Sequence, residues 1–499
     1  MSRLAIHPSP EEFAKTYDAG KPQIVWAKRV SDLETPVSAM LKLGADGGPC
    51  FLLESVEGGE TRGRYSILGF DPDMMWRSAG NRPEISRTPP FANDSFETTW
   101  EDTMGSLRAL VANRMELPEN VPPMAAGIVG YMGYDMVKLM ERLPDTKPDT
   151  LNIPDACFMR PRAQLIFDGV DGVVYIIAPI WETGGDASAV YKEAAARIEK
   201  LARALEGPLD QRNYYKDVPG TKREFTSNIS RADYAKAIAR AKEYIAAGDI
   251  FQVVLSQRFT ADFDLPAFAL YRSLRHMNPS PFLTYVHFGD FTLVGSSPEI
   301  LVRLRDDTVT VRPIAGTRRR GKNKAEDAAL AAELLADPKE LAEHLMLLDL
   351  GRNDVGRVAK GGKVKVTEQM IVELYSHVMH IVSNVEGEID PKFDAVDALV
   401  AGFPAGTVSG APKIRAMAII DELEPVKRSF YAGCMGYFSA NGTMDTCITL
   451  RTALVKGGKL YAQAGGGIVA DSDPDAEYEE SMNKAKAILR AAEEAVKFA

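Results

Sequence analysis

The stretch Asp337–Asp354, DPKELAEHLMLLDLGRND, decides how the second half of the chain folds. Asp337 carries the short acceptor side chain of a helix N-cap. Pro338 supplies the fixed φ suited to a first helical position, so a helix starts here and is expected over Lys339–Leu348. At 3.6 residues per turn, Glu340 and Glu343 share one face. The same start recurs at Asp473-Pro474, which sets Glu477 and Glu480 three apart on a second helix, expected over Ala476–Val496. Outward from these, helices are expected at Glu326–Leu335 and Phe393–Ala401. Strands are expected at Ile250–Phe259, Phe282–His287, Thr292–Val294, Thr308–Arg312, Tyr431–Phe438, Cys447–Val455 and Lys459–Ala464. Hairpin-like strands mixed with helices, without a repeating βαβ order, make the fold class α+β.

This texture begins at Ser230, whose spacing to Asp233 resembles a capping box with Asp in place of Glu. The helix it opens should run to about Ala247 and stop at Gly248. Before it lies a polar segment, 206–228, broken by Gly207-Pro208 and Pro219-Gly220 and read as the main linker. The chain therefore divides into an N-terminal region, 1–215, and a second region, 225–499. The first mixes short strands and loops with a buried strand at Val173–Ile180 and an Ala-rich helix at Ala189–Leu205.

Of the 499 residues, 45% are apolar and the formal net charge is -10. That balance argues against nucleic acid or an anionic membrane surface as a main partner. The basic run Arg318-Arg319-Arg320-Gly321-Lys322 is expected to be a solvated loop after a strand. Four scattered cysteines, without a Cys-x-x-Cys spacing, indicate neither a disulfide framework nor a zinc site. No apolar run reaches membrane-spanning length and no signal core opens the chain, so a cytoplasmic location is expected.

Each chemistry-bearing feature has two descriptions at this level. The four glutamates are solvated helix faces, or ligands for a hard dication such as Mg²⁺. Gly465-Gly466-Gly467 is a bulge or turn at a strand end, or an anion nest of backbone N–H groups. Arg451 is an edge-strand side chain, or a buried guanidinium awaiting a carboxylate. Gly316 and Thr317 form a plain turn, or present an N–H and a hydroxyl to a ligand. Tyr431 is a core aromatic, or lines the same site.

Several longer motifs come in one order. Arg312–Arg318 (RPIAGTR), Glu340–Asp354, Tyr375–Val378 with His380, Cys447–Arg451 and Gln463–Gly467 resemble the signatures of chorismate-utilising enzymes. Leu52-Leu-Glu-Ser55 and Gly63-Arg-Tyr65 are similar to the large, chorismate-binding subunits of anthranilate synthases. The resemblance spans most of the chain and implies a layered sandwich of β-sheets and helices. It also implies Mg²⁺ on Glu343 and Glu480, supported from behind by Glu340 and Glu477.

Within that family the reaction turns on single positions. Enzymes of the aminodeoxychorismate type carry a nucleophilic lysine where this chain has Ala315. Isochorismate-type enzymes activate water with a lysine where this chain has Gln252. Both differences point to ammonia as the nucleophile, and so to anthranilate and pyruvate, the first committed step of tryptophan biosynthesis. Aminodeoxychorismate and isochorismate chemistry are the alternatives, and a non-catalytic tryptophan sensor is an alternative of another class. The resemblance assigns the catalytic set to Glu299, His380, Thr317 and Gln252. It assigns chorismate binding to Gly316, Thr317, Tyr431, Arg451, Gly465, Gly466, Gly467 and Lys484.

Gly433-Cys434-Met-Gly436 superficially resembles a glutaminase nucleophile elbow. All six histidines precede Cys434, however, so no fused glutaminase follows it. The implied partner is a separate glutamine amidotransferase subunit, in a heterotetramer of two large and two small chains. Ser55, with Pro279, Ser280 and Pro281, resembles the two halves of an L-tryptophan inhibitor pocket.

Overall fold

In a computed structural model, which describes residues 4–44, 47–57, 61–99, 102–210, 214–375 and 378–499, strands from both ends of the chain lie side by side. Cys50–Glu57 pairs antiparallel with Phe282–His287, Glu54 opposite Leu283. Gly127–Met132 pairs with Cys434–Ser439. Among the described residues, 23 strands are linked through such antiparallel pairings. The 206–228 segment runs back along the C-terminal helix, with Lys216 N–H on Lys497 O and Thr221 N–H on Glu493 O.

Two apolar cores lie on the sheet faces. One gathers Trp76, Tyr131, Phe158, Phe288, Leu293 and Phe438. The other is roofed by helices Pro10–Asp18, Ala187–Glu206, Ala267–Met277 and Pro474–Glu494, which contribute Phe13, Ile198, Leu274 and Ile488. Each such side chain, fully buried, stabilises the fold by about 1.5–3 kcal/mol before entropy is counted.

The elements form largely where the pattern puts them, with informative exceptions. The helix after Ser230 spans Arg231–Ala246, and the Ser230 hydroxyl accepts from Asp233 N–H. Asp233 is a methylene shorter than Glu and meets the Ser230 hydroxyl at 2.8 Å instead of closing the box on the backbone. Pro338–Gly356 runs well past Leu348 because Gly351, Asp354 and Val355 continue its buried face. The strand expected over Cys447–Val455 is two strands, Met444–Ile448 and Thr452–Lys456. Arg451 breaks it at φ 48°, a left-handed conformation that no strand accommodates. Likewise Tyr431 and Ala432 precede the strand Cys434–Ser439 rather than belonging to it.

The basic run is not a solvated loop. Arg318 and Arg319 end the strand Ile314–Arg319. Arg318 binds Glu333, Asp337 and Glu340, while Arg320 pairs with Asp327. Acidic residues of the next two helices neutralise it, which is why a basic stretch sits beside acidic helix starts.

Candidate active site

The two acidic helices start as their sequences require. Asp337 accepts from the N–H groups of Lys339 and Glu340, and Asp473 from those of Asp475 and Ala476. Their first turns arrive at one place, the neighbouring strands Gln252–Asp262 and Lys459–Ile468. Gln252 Nε2 donates to Glu343 Oε1 at 3.1 Å. A Cβ on Gly467 would stand 2.2 Å from Gln252 Nε2, and one on Gly466 would stand 2.7 Å from Glu477 Oε2 and 3.9 Å from Glu480 Oε1. Glu343, Gln252, Glu477 and Glu480 thus surround the glycine run.

That geometry moves the strand end, expected at Ala464, on to Ile468, beyond the glycines. Gly465, Gly466 and Gly467 lie inside a strand, opposite Ser256, Leu255 and Val254. Their missing side chains leave space for Gln252 and Glu477. The pairing of this strand with Thr452–Lys456 ends at Ala462, so among the described residues no strand covers its other edge along Gln463–Ile468.

The carboxylates differ in how they are engaged. Glu340 is held by Arg318 at 2.9 Å. Glu477 Oε1 accepts from Ser472 Oγ at 2.7 Å, while its Oε2 is buried without a hydrogen-bond partner. Burial, then the charge of Glu480, raises the Glu477 carboxyl above its ordinary range. Lys484 donates to Glu480 at 2.7 Å and to Gly465 O at 3.1 Å. Among the described residues no three or more acidic, His or Cys side chains close into a metal cage. An open set of carboxylates with one orphaned buried oxygen fits Mg²⁺, which keeps several waters and takes substrate oxygens as ligands.

A second group stands across the strand Ile314–Arg319. Gly316, at φ 72°, sits at an irregularity in the pairing with Val378–Ile389. A Cβ there would lie 3.2 Å from Glu340 Oε2. His380 Nδ1 lies 3.0 Å from Gly316 O and 3.1 Å from Thr317 Oγ1. A carbonyl can only accept, so Nδ1 carries the proton and Nε2 the lone pair. Burial pushes the imidazole down to about 4, the Gly316 carbonyl opposing and Arg451 reinforcing, so His380 is a neutral base at pH 7. Of the Tyr375–Val378 motif, Ser376 and His377 lie outside the described residues. Tyr375 packs edge-on against His380 at 5.2 Å.

Glu299 is 6% exposed. Thr407 Oγ1 lies 3.3 and 3.2 Å from its two oxygens. Burial pushes the Glu299 carboxyl up to about 8, with Thr407, the Ile314 N–H and Arg451 pulling the other way. At neutral pH it holds a proton. Arg451 is half-buried; its carbonyl accepts from Ser296 N–H at 3.1 Å, while its guanidinium makes no hydrogen bond or ion pair among the described residues. Burial lowers its guanidinium below its ordinary value, while Tyr375 and Glu299 raise it. Nothing in the sequence marks Thr407 except the density of small residues around it, Gly402, Ala405, Gly406, Ser409 and Gly410.

The other predicted positions are Tyr431, Ser55 with Pro279–Pro281, and Cys434. Tyr431 is 3% exposed, with the Arg428 guanidinium 5.5 Å from its ring centre, and makes no hydrogen bond to the residues above. Ser55 and the Pro279–Pro281 segment adjoin through the pairing of Cys50–Glu57 with Phe282–His287. Beside them Glu54 is buried in an ion pair with Arg275 at 2.6 Å. Ser280 Oγ donates to Ser297 O at 2.9 Å and accepts from Ser296 Oγ at 2.8 Å. Cys434 opens the strand Cys434–Ser439 and is buried, which pushes its thiol far up, so it is no nucleophile elbow.

Residues 48–490 match the family model for chorismate binding enzymes. The anthranilate synthase component 1 of Cereibacter sphaeroides is 56% identical over 492 residues, 98% of each chain. That of Pseudomonas putida is 46% identical, over 96% of this chain and 97% of its own. The crystal structure of anthranilate synthase component I from Streptococcus pneumoniae superposes with a TM-score of 0.76 at 37% identity, covering 86% of this chain and 92% of that one. The menaquinone-specific isochorismate synthase of Escherichia coli shares the fold, with a TM-score of 0.69 at 21% identity over 97% and 98% of the two chains.

Proposed function

The chain belongs to the chorismate-binding enzyme family, and from that premise we propose how its residues carry out the anthranilate synthase component 1 reaction. It converts chorismate to anthranilate in tryptophan biosynthesis. Ammonia is the nucleophile and pyruvate the second product. The observation that carries this reading is the pair Ala315 and Gln252. Neither can attack the ring or activate water, and Gln252 spends its amide on Glu343.

Glu343 and Glu480 would hold the metal, with Glu340 and Glu477 behind them, on the support of the open carboxylate set; the unpartnered Glu477 oxygen would accept from a water that such an ion keeps. Bound there, Mg²⁺ supplies positive charge for the ring carboxylate. Arg451, the cation left without an anion, binds the enolpyruvyl carboxylate. Lys484, the Gly465–Gly467 edge, Gly316 and Thr317 frame the ring, and Tyr431 closes the far wall.

Glu299 enters the reaction protonated. It gives its proton to the departing 4-hydroxyl, which leaves as water while ammonia adds at C2. His380 then acts from Nε2, its Nδ1–H fixed on Gly316 O. It takes the C2 proton as the enolpyruvyl C–O bond breaks, and the ring becomes aromatic. That proton ends on the methylene carbon, giving pyruvate.

Ammonia comes from a separate glutaminase component, which the relatives' name, component 1, implies. L-tryptophan binds at the junction of Ser55 with Pro279, Ser280 and Pro281 and biases the enzyme towards a state that binds chorismate poorly. No helix among the described residues is long and apolar enough to cross a membrane. The deciding experiment mixes the protein with chorismate, Mg²⁺ and ammonium and follows anthranilate fluorescence, with a mass spectrum of the product. A product that retains the enolpyruvyl group, or turnover without ammonium, would overturn the reading.

A further inference from the structure

Glu299 also faces a small cavity of about 20 Å³, lined with it by Thr407, Asp354, Gly351, Val311 and Pro313, among others. That volume holds about one water molecule, and three polar side chains line it. Asp354 is 6% exposed, and its Oδ2 accepts from Lys413 Nζ at 2.7 Å. The Lys413 side chain retains 13% exposure. A line of exchangeable protons therefore runs from the partly exposed Lys413, through Asp354, to the cavity and Glu299.

We propose that this cavity holds a water through which Lys413 and Asp354 return a proton to Glu299 after each turnover. The proposal rests on Glu299 being the proton donor. Once Glu299 has protonated the departing hydroxyl it is a buried carboxylate, and product or the next substrate covers its other face. The cavity water gives it a proton and takes one from Asp354. Asp354 takes one from Lys413, and solvent restores Lys413. One proton enters this way per cycle, and one leaves when the nitrogen added as ammonia sheds its extra proton, so the reaction balances. Burial raises the Asp354 carboxyl, with Lys413 opposing, which makes its brief protonation accessible. Asp354 and Lys413 are positioning residues here, acting through Glu299.

Gly351 provides a clean test. A Cβ there would meet Val311 at 3.5 Å and Pro313 at 3.8 Å, ordinary contacts with two cavity-lining residues. Gly351→Ala thus occupies the water's space without a clash and suits the helix better than glycine. The full chain is mixed rapidly with chorismate, Mg²⁺ and ammonium, and anthranilate fluorescence is followed from the first turnover. Gly351→Ala should make one anthranilate per site at the wild-type rate, because Glu299 starts protonated. Later turnovers should then slow about tenfold or more, with a larger solvent isotope effect. Asp354→Asn should behave alike; if it does not fold, Gly351→Ala decides. An unchanged steady rate, or a first turnover slowed as much as the rest, overturns the relay. Glu299→Gln separates the two claims: if it turns over normally, the donor assignment itself fails.

Discussion

Gln252 Nε2 lies 3.1 Å from Glu343 Oε1, so an uncharged amide is tied to one of the two carboxylates proposed to hold the metal. A neutral amide orients Glu343 without cancelling its charge, as a lysine would. Gln252→Leu keeps the bulk and removes the donor. It should raise the Mg²⁺ concentration needed for half-maximal ammonia-dependent activity about tenfold or more, the usual cost of losing such a support. A Mg²⁺ titration at saturating chorismate measures it, and an unmoved midpoint would mean that Gln252 does not orient a ligand.

The four glutamates should separate by role. Glu343→Gln and Glu480→Gln should abolish Mg²⁺-dependent turnover while circular dichroism and thermal unfolding stay near wild type. Glu340→Gln should do partial damage, because Arg318 keeps Glu333 and Asp337 as partners. Near-normal activity in either of the first two would put the metal elsewhere.

These assignments show what a sequence can carry. The acidic helices were legible because a cap is local: Asp337 bonds N–H groups two and three residues on, and Asp473 does the same. The α+β class was legible from the same local periodicities. Glu299 and Thr407 were not legible as a pair, since 108 residues separate them and only tertiary packing joins them. Gly465–Gly467 were expected past a strand end and lie within the strand for a related reason. A glycine run signals either a turn or a close approach, and the approaching groups, Gln252 and Glu477, come from distant segments. Arg451 misled because its apolar neighbours look like strand, whereas its φ of 48° turns the chain out of one.

Tryptophan sensitivity should map to the junction of two paired strands. Ser55→Ala and Ser280→Ala should each raise the L-tryptophan concentration for half-inhibition, with kcat changed by less than about twofold. Ser280→Ala also removes hydrogen bonds to Ser296 and Ser297, so it should lower stability by about 1 kcal/mol. Unchanged inhibition in both variants would remove the pocket from this junction.

Glu299 makes a prediction in which activity and stability both fall as pH rises, whereas Glu299→Gln moves them oppositely. Its carboxyl is raised to about 8 by burial, so the active, protonated form is lost as pH climbs through that value. The kcat/KM profile of the ammonia reaction, corrected for the ammonia available, should therefore fall on its basic side near pH 8. Thr407 pulls this value down, so Thr407→Val should move the basic limb to higher pH while reducing rate. For stability, a folded-state pKa above the unfolded one gives a contribution fully present below about 4 and lost as pH rises through the folded value. Above pH 8 the folded protein must bury a charge there. Glu299→Gln removes that charge, so it should lower kcat by about a hundredfold or more and yet unfold at a higher temperature than wild type at pH 9. The stability difference should shrink towards pH 5. A variant no more stable than wild type at pH 9 would show that Glu299 is not held protonated, and its part as the acid would fall with that.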